Sequence, residues 1–133
     1  MEHPYQFVIT AVPDAAENSE SGGRKAAEVI SQGLLQQKLA ACVSAIGPVT
    51  SQYWWKDKLE TTAEIILLIK TKATLFPDVQ QFIREHHPYE LPEIVALDIA
   101  DGSADYLTWI GAACRYSPRA NKEETRQSRE QQQ

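Results

Sequence analysis

Two long strand-like runs follow each other in the chain, at residues 39–55 and 59–71, with only three polar residues between them. Their content of β-branched and aromatic residues predicts a β-hairpin. The first run is interrupted at Gly47-Pro48, and a proline inside a strand is tolerated only at an edge or a bulge. A domain of about 110 residues is about 35 Å across, whereas strands of about 13 to 17 residues reach about 45 to 55 Å. The hairpin must therefore bend or extend beyond the rest of the domain.

The end of this hairpin carries three consecutive aromatic residues, Tyr53, Trp54 and Trp55. Because side chains alternate along a strand, Trp54 points to one side and its two neighbours point to the other. A monomer would expose them as a large apolar patch. We therefore expect a neighbouring copy of the chain to cover them. The alternative is that they fold back over the subunit's own sheet at the bend in the first strand.

The other segments alternate between strand and helix patterns. Apolar residues at spacings of three and four predict two amphipathic helices, and Pro88 ends the second. Ser103 is a typical N-cap residue for a last, short helix. The predicted elements are a strand at 5–13, a helix at 24–38, the two hairpin strands, a helix at 75–87, a strand at 93–99 and a helix at 103–113. This order contains the βαββαβ arrangement of a ferredoxin-like α+β sandwich, in which an antiparallel sheet carries both main helices on one face.

Length and composition predict one folded domain followed by a polar tail. A chain of 133 residues is long enough for one hydrophobic core and too short for two. From Ser117 onward the sequence is polar, contains no apolar residue larger than Ala120 and ends in three glutamines. We therefore expect a folded domain over residues 1–116 and a flexible tail over residues 117–133.

Charge and cysteine content restrict the partners and the location. The formal net charge of −5 argues against binding to nucleic acid or to an anionic membrane surface, since both depend on Lys and Arg. No run approaches the roughly 20 apolar residues that span a bilayer, and the N-terminus does not resemble a secretory signal. Cys42 and Cys114 lie far apart in apolar segments without zinc-finger spacing, which predicts buried, reduced thiols. We expect a cytoplasmic protein.

His86 and His87 are adjacent at the end of the second predicted helix and are the candidate metal ligands. Imidazole is the commonest side-chain ligand of transition metals. Neighbouring residues of a helix, however, point about 100° apart, so the two rings do not easily reach one ion. A structural role is the alternative: His86 continues the helix face of Val79 and Phe82, while His87, extended because it precedes Pro88, caps the helix.

Carboxylates near this segment are candidates to line a cleft. Glu60 and Glu64 share a face of the third strand and can form an acid/base pair, although salt bridges to nearby lysines are the simpler role. Glu90 can complete a shallow metal site, and Glu93 lies close to it in the sequence. Tyr89 can donate a hydrogen bond in a cleft between subunits, with packing as the alternative.

Five segments with distinctive sequences follow one another: "LAACV" (39–43), "YWWKDKLE" (53–60), "EIILLIKT" (64–71), "HPYELPEI" (87–94) and "YLTWI" (106–110). Together they closely resemble the CutA family, the divalent-cation tolerance proteins, and the likeness extends over about residues 5–115. The resemblance implies a ferredoxin-like subunit similar to the PII signalling proteins. It also implies a homotrimer assembled through the long hairpin and the terminal helix.

The resemblance further implies tolerance of copper and other divalent metals without enzymatic activity. In this family copper binding has been attributed to a histidine pair and to a cysteine near the end of the first strand. The pair falls on His86 and His87 here, but Thr10 stands at the cysteine position. Since Cu(I) prefers sulfur ligands, we expect weak, unselective binding of copper or another divalent cation. The hairpin turn also departs from the family, with Lys56 and Asp57 where an acidic residue and a glycine are common.

Three other functions share this order of elements. A trimeric PII-like sensor or scaffold would bind a small molecule or a protein in its intersubunit clefts, but no Gly-rich phosphate loop supports a nucleotide. An acylphosphatase-type hydrolase would need an arginine in the loop after the first strand, which is acidic here. An RNA-recognition domain would need stacking aromatic residues on its third strand, and residues 61–71 contain none.

Overall fold

The computed structural model describes residues 3–14 and 23–117, which form an α+β fold. Its elements in chain order are β1 (Tyr5–Pro13), α1 (Gly23–Gln36), β2 (Cys42–Trp55), β3 (Lys58–Lys72), a 3₁₀ turn (Ala73–Leu75), α2 (Phe76–His86), β4 (Val95–Asp98) and α3 (Ala104–Ala113). The predicted order of elements and the ferredoxin-like arrangement are confirmed. None of the helices within these ranges is long and apolar enough to cross a membrane.

The four strands form one antiparallel sheet in the order β2-β3-β1-β4. Side chains alternate between its two faces, and the face that packs against α1 and α2 carries Val8 of β1 with Leu67 and Ile69 of β3. The inner sides of both helices complete the hydrophobic core, through the buried residues Ile30, Leu34, Val79, Phe82 and Ile83. Burial of these side chains holds the helix layer on the sheet.

The two main helices pack directly against each other at Gly33 of α1. A Cβ atom built on Gly33 would lie 2.1 Å from Cζ of Phe82 in α2, far inside van der Waals contact. The phenyl ring of Phe82 belongs to the core and takes the volume that a side chain at position 33 would need. Gly33 therefore permits the close packing of α1 on α2.

The other face of the sheet is apolar. Among the helices in the described ranges only α3 packs on this face, and it covers one end, where Gly111 lies against Tyr5. The side chains beyond α3, which we call the open face, are Phe7, Ile9, Ile46, Ile66, Leu68, Val95 and Leu97. Ile46, Val95 and Leu97 are exposed. An uncovered sheet face is ordinarily polar, so the open face has the character of a surface that another molecule covers.

The β2-β3 hairpin bends where the sequence predicts it. Its pairing shifts between Ile46 and Val49, which places Gly47 and Pro48 in a bulge. Gly47 has a φ of +144°, and a Cβ atom there would lie 2.9 Å from the carbonyl oxygen of Glu64. Only glycine is compatible with this backbone conformation and this contact.

At its far end the hairpin reverses through Lys56 and Asp57, which both have positive φ, 49° and 63°. Both residues of the turn thus adopt the left-handed conformation that a tight hairpin turn requires. Trp54 and Leu59 lie opposite each other just before the turn and are 74% and 59% exposed. Trp54 therefore does not fold back over the subunit's own sheet.

The start of β2 and both ends of β4 differ from the predicted bounds, whereas β3 and the helices differ by at most two residues at either end. β2 begins at Cys42 instead of residue 39, because Lys38 adopts a left-handed conformation (φ 55°) and closes α1 with Schellman-type hydrogen bonds. β4 spans Val95–Asp98 instead of 93–99, because its pairing with β1 stops at Ile9. Beyond Ile9 the imidazole of His87, in the α2-β4 connection, forms a hydrogen bond with the edge of β1 at Ala11.

The folded domain includes Ser117, with which the predicted tail begins. This residue is 1% exposed, and its hydroxyl donates a 3.4 Å hydrogen bond to the carbonyl of Thr74. Two residues earlier, the amide of Arg115 donates to the carbonyl of Lys38 at 2.7 Å. The rest of the predicted tail, residues 118–133, and most of the predicted loop after β1, residues 15–22, lie outside the described residues.

Candidate functional site

The connection from α2 to β4 crosses the edge of the sheet and begins at His87. The backbone of His87 is extended (φ −83°, ψ 133°), as its position before Pro88 predicts. Its amide donates a 2.8 Å hydrogen bond to the carbonyl of Ile83, so the backbone of His87 caps α2. Its ring turns away from the helix and lies against β1, with Nε2 2.8 Å from the carbonyl oxygen of Ala11.

Both ring nitrogens of His87 take part in hydrogen bonds. Nε2–H donates to the Ala11 carbonyl, and Nδ1 accepts from the amide of Tyr89 at 3.1 Å. Because a carbonyl only accepts and an amide only donates, the imidazole is neutral with its proton on Nε2. The residue is 9% exposed. A metal ion needs a free nitrogen lone pair, and this arrangement leaves none on His87.

Tyr89 links this connection to β3. Its hydroxyl donates a 3.0 Å hydrogen bond to Oε2 of Glu64, a carboxylate that is only 6% exposed. Glu64 shares a sheet face with Ile66 and Leu68, so Tyr89 reaches round to the side of the open face. We call the chain of hydrogen bonds from the Ala11 carbonyl through His87 and Tyr89 to Glu64 the His87–Glu64 network.

The buried position of this network changes the acidity of its members. Burial lowers the pKa of His87 below its usual value, while the Ala11 carbonyl and the Glu64 carboxylate act in the opposite direction. Burial and the hydrogen bond to Glu64 together raise the pKa of Tyr89 well above its usual range. Both residues are therefore neutral in the folded protein at neutral pH.

The depressed pKa of His87 predicts loss of stability in acid. Below a pH of about 6.5 the unfolded chain binds a proton at His87 that the folded chain does not bind. The free energy of unfolding therefore falls as the pH drops below about 6.5, with a slope below the one-proton limit of about 1.4 kcal/mol per pH unit. Urea unfolding of the wild type and of His87→Gln at pH 7.5 and pH 5.5 measures this. Equal pH dependence of the two proteins would contradict it.

His86 is arranged differently from His87. Its Nδ1–H donates to the Phe82 carbonyl at 2.9 Å, and its ring stacks on the Phe82 ring with centroids 4.2 Å apart. This hydrogen bond leaves the lone pair on Nε2, which is exposed and has no partner within the described part of the chain. Histidines that bind metals commonly donate their other ring N–H to a backbone carbonyl in this way. The two predicted ligands thus point apart, one along α2 and one toward β1.

His86 also lines a surface groove of about 290 Å³, which we call the α1–α2 groove. One wall is the side of α2, and the other is formed by Gln37 and Leu39, which follow α1, and by Arg115, which follows Cys114. Buried Leu39 and Phe82 provide an apolar floor. The lining residues are Gln37, Leu39, Asp78, Gln81, Phe82, Glu85, His86 and Arg115.

Among the described residues, Glu64 is the one predicted carboxylate that is connected to a histidine, through Tyr89. Glu60 and Glu64 share a face of β3 but lie four residues apart, about 13 Å along the strand, so they do not form an acid/base pair. Glu90 and Glu93 are exposed. In the ranges that the structure covers, no group of three or more His, Cys, Asp or Glu side chains is arranged to hold a metal ion.

Thr10, Cys42 and Cys114 do not belong to a group of metal ligands within the described residues either. Thr10 is fully buried on the helix-covered face of β1, directly before Ala11, and its hydroxyl has no hydrogen-bond partner among the described residues. Cys114 is free and buried, as predicted, and burial raises the pKa of its thiol. Cys42 is also free but only half-buried, 3.9 Å from the hydroxyl of Ser44.

Sequence reasoning did not find the α1–α2 groove. The spacing of Asp78 and Glu85 by seven residues places them on one helix face and is a usable signal. No sequence pattern relates either of them to Arg115, which joins the groove only through the packing of the chain after α3. The partnership of Glu64 with Tyr89 likewise depends on how the connection crosses the sheet edge.

The fold and the "HPYELPEI" connection lead to one family. Residues 7–113 match the family described as CutA1 divalent ion tolerance protein. The chain belongs to this family. The family assignment that the five motifs predict is thereby confirmed.

Individual CutA proteins show the extent of the similarity. The chain is 36% identical over 106 residues to the divalent-cation tolerance protein CutA of Yersinia pestis, which covers 80% of the chain and 82% of the relative. It is 41% identical over 86 residues to protein CutA of Mus musculus, covering 65% of the chain but only 49% of the mouse protein. The chain thus spans about half the length of that relative. The crystal structure of CutA from Xylella fastidiosa superposes with a TM-score of 0.75 at 37% identity, over 84% of this chain and 99% of the other.

Proposed function

We propose that this CutA1-family protein is a non-enzymatic homotrimer that contributes to divalent-cation tolerance and weakly binds copper(II) or a similar cation at the His86–His87 segment. Its two free cysteines are consistent with a reducing, cytoplasmic location. The observation that carries the metal proposal is the exposed Nε2 lone pair of His86, held in place by the hydrogen bond from Nδ1–H to the Phe82 carbonyl.

The two histidines differ in their part in this proposal. His86 binds a cation without rearrangement, because its free nitrogen faces the solvent. His87 binds one only if its hydrogen bond to the Ala11 carbonyl or that from the Tyr89 amide breaks. With a threonine at position 10 and no preformed group of three ligands among the described residues, the site has one protein nitrogen and water as its main ligands. Such a site is weak and unselective.

The homotrimer is supported by the open face and the hairpin. The open face is apolar, and the hairpin end presents a second exposed apolar pair, Trp54 and Leu59, on the opposite face of the sheet, since Leu59 alternates in step with Leu67. Exposed apolar side chains grouped in this way mark protein–protein contacts. The open face lies on the side of the sheet away from α1 and α2, which fits assembly through the sheets with the helices outside, and the hairpin end offers a neighbouring subunit a separate contact.

Calorimetric titration with Cu(II) and Zn(II) tests the metal site. We expect weak binding to the wild type and binding at least about tenfold weaker to His86→Ala, because the substitution removes the ligand nitrogen. Arg84→Ala is a suitable control, since it removes a neighbouring exposed side chain of α2 that carries no ligand atom for a cation. Equal binding to the wild type and to His86→Ala would remove His86 from the site.

A second candidate is a PII-like sensor or scaffold that binds a small molecule or a protein in its intersubunit clefts. The observation that favours it is the His87–Glu64 network, which places a buried carboxylate and a phenol beside the open face. Absence of metal binding to the wild type in the titration would favour this candidate over the first.

A further inference from the structure

The α1–α2 groove carries charges of both signs that do not neutralise one another. Asp78 and Glu85 lie on the α2 wall, and Arg115 lies on the opposite wall. Within the described residues, the side chains of Asp78 and Arg115 have no hydrogen bond or ion pair. Glu85 accepts a single 3.1 Å hydrogen bond, from Nε2 of Gln81. These charged groups are therefore available to a ligand.

The geometry of the groove separates the two carboxylates. Asp78 and Glu85 are seven residues apart on one face of α2, which is about 10 Å along the helix axis. Arg115 faces them from the other wall, where its amide is anchored by the 2.7 Å hydrogen bond to the Lys38 carbonyl. One small cation cannot contact both carboxylates, so the pair is not a metal site. An elongated molecule with two cationic ends can contact both.

We propose that the α1–α2 groove binds a free basic amino acid of the lysine or arginine class. Its carboxylate pairs with the guanidinium of Arg115, and its two cationic groups pair with Asp78 and Glu85. Its methylene groups lie on the apolar floor of Leu39 and Phe82. The two positive groups and one negative group of the ligand complement the two negative and one positive side chains of the groove. A diamine would leave Arg115 unpaired, and a neutral amino acid would leave one carboxylate unpaired.

This site goes beyond the proposed metal function and does not require it. The groove lies in the helix layer, on the side of the sheet away from the open face, so assembly through the open face leaves it accessible. Its charges are partly in contact with solvent, which limits each ion pair. We expect a Kd for the amino acid on the order of 1 mM.

Binding is tested with the full chain by NMR titration at constant ionic strength, in the presence of EDTA to exclude metals. The probes are L-lysine, cadaverine, which lacks the carboxylate, and L-norleucine, which lacks the side-chain ammonium group. We expect saturable shifts at the groove with lysine and at least about tenfold weaker binding of the other two. Arg115→Gln should bind lysine only as weakly as the wild type binds cadaverine. Asp78→Asn/Glu85→Gln should bind lysine as weakly as the wild type binds norleucine, or more weakly.

Glu28→Gln provides the control, because it removes an exposed carboxylate of α1 that does not line the groove. It should bind lysine like the wild type. Equal binding of the three probes, no binding of lysine, or unchanged lysine binding to Arg115→Gln would overturn the proposal. The metal titration separates it from the proposed function, since Arg115→Gln should bind Cu(II) like the wild type.

Discussion

Replacement of His87 by alanine should lower the free energy of unfolding by about 3 kcal/mol, because two buried hydrogen-bonding groups lose their partners. The Ala11 carbonyl loses the Nε2–H donor, and the Tyr89 amide loses the Nδ1 acceptor. The change also leaves a cavity where the 9%-exposed imidazole packed. Urea unfolding at pH 7.5 and at one fixed protein concentration measures the effect, since the stability of an oligomer depends on concentration.

His86→Ala is the matched control for this substitution. It removes the same side chain one residue earlier, but from an exposed position with one hydrogen bond and one ring contact. Its cost should stay below about 1 kcal/mol. Equal destabilisation by the two changes would show that the His87–Glu64 network does not hold the connection on the sheet. Substitution of His87 should therefore affect mainly stability, and substitution of His86 should affect mainly metal binding.

The double change Trp54→Ser/Leu59→Ser should dissociate the proposed trimer. In solution the wild type should have the mass of three 14.9-kDa chains, about 45 kDa. Burying a large apolar side chain contributes about 1.5 to 3 kcal/mol, so loss of this pair should weaken each contact more than about 100-fold. Multi-angle light scattering over a dilution series measures the mass, and the variant should shift to lower mass at concentrations where the wild type does not.

Gln52→Ser/Thr61→Ser is the control for the hairpin. These residues also lie opposite each other, two positions along on the same face, but they are polar. This variant should keep the wild-type mass. A monomer mass for the wild type would overturn the assembly, and a wild-type mass for Trp54→Ser/Leu59→Ser at every dilution would exclude the hairpin end from the contact.

Periodicity and turn chemistry are sufficient to predict most of the fold. The bulge at Gly47-Pro48 and the N-cap at Ser103, which accepts a hydrogen bond from the Tyr106 amide, follow from local chemistry and are observed. The start of β2 is misplaced because Lys38 adopts a conformation that glycine usually takes. The start of β4 is misplaced because an imidazole, not a strand, continues the edge of β1 at Ala11.

The site is less predictable because its contacts join distant parts of the chain. The sequence indicates that His87 is extended, but not that its ring reaches β1, 76 residues away. It also indicates that Glu64 faces the same side as Ile66, but not that the carboxylate is buried beneath Tyr89. Local rules describe backbone direction and side-chain face, whereas partners depend on how separate elements pack.

The contact between the two main helices has a consequence for chemistry at the surface. The imidazole of His86 rests on the ring of Phe82, and that ring occupies the space left by Gly33. Any larger residue at position 33 would displace the phenyl group and tilt the imidazole with it. The absence of a side chain at Gly33 in α1 thus determines the direction in which Nε2 of His86 presents its lone pair to the solvent. Substitutions at Gly33, which contacts no ligand, would therefore change the affinity of the proposed site at His86 for a cation.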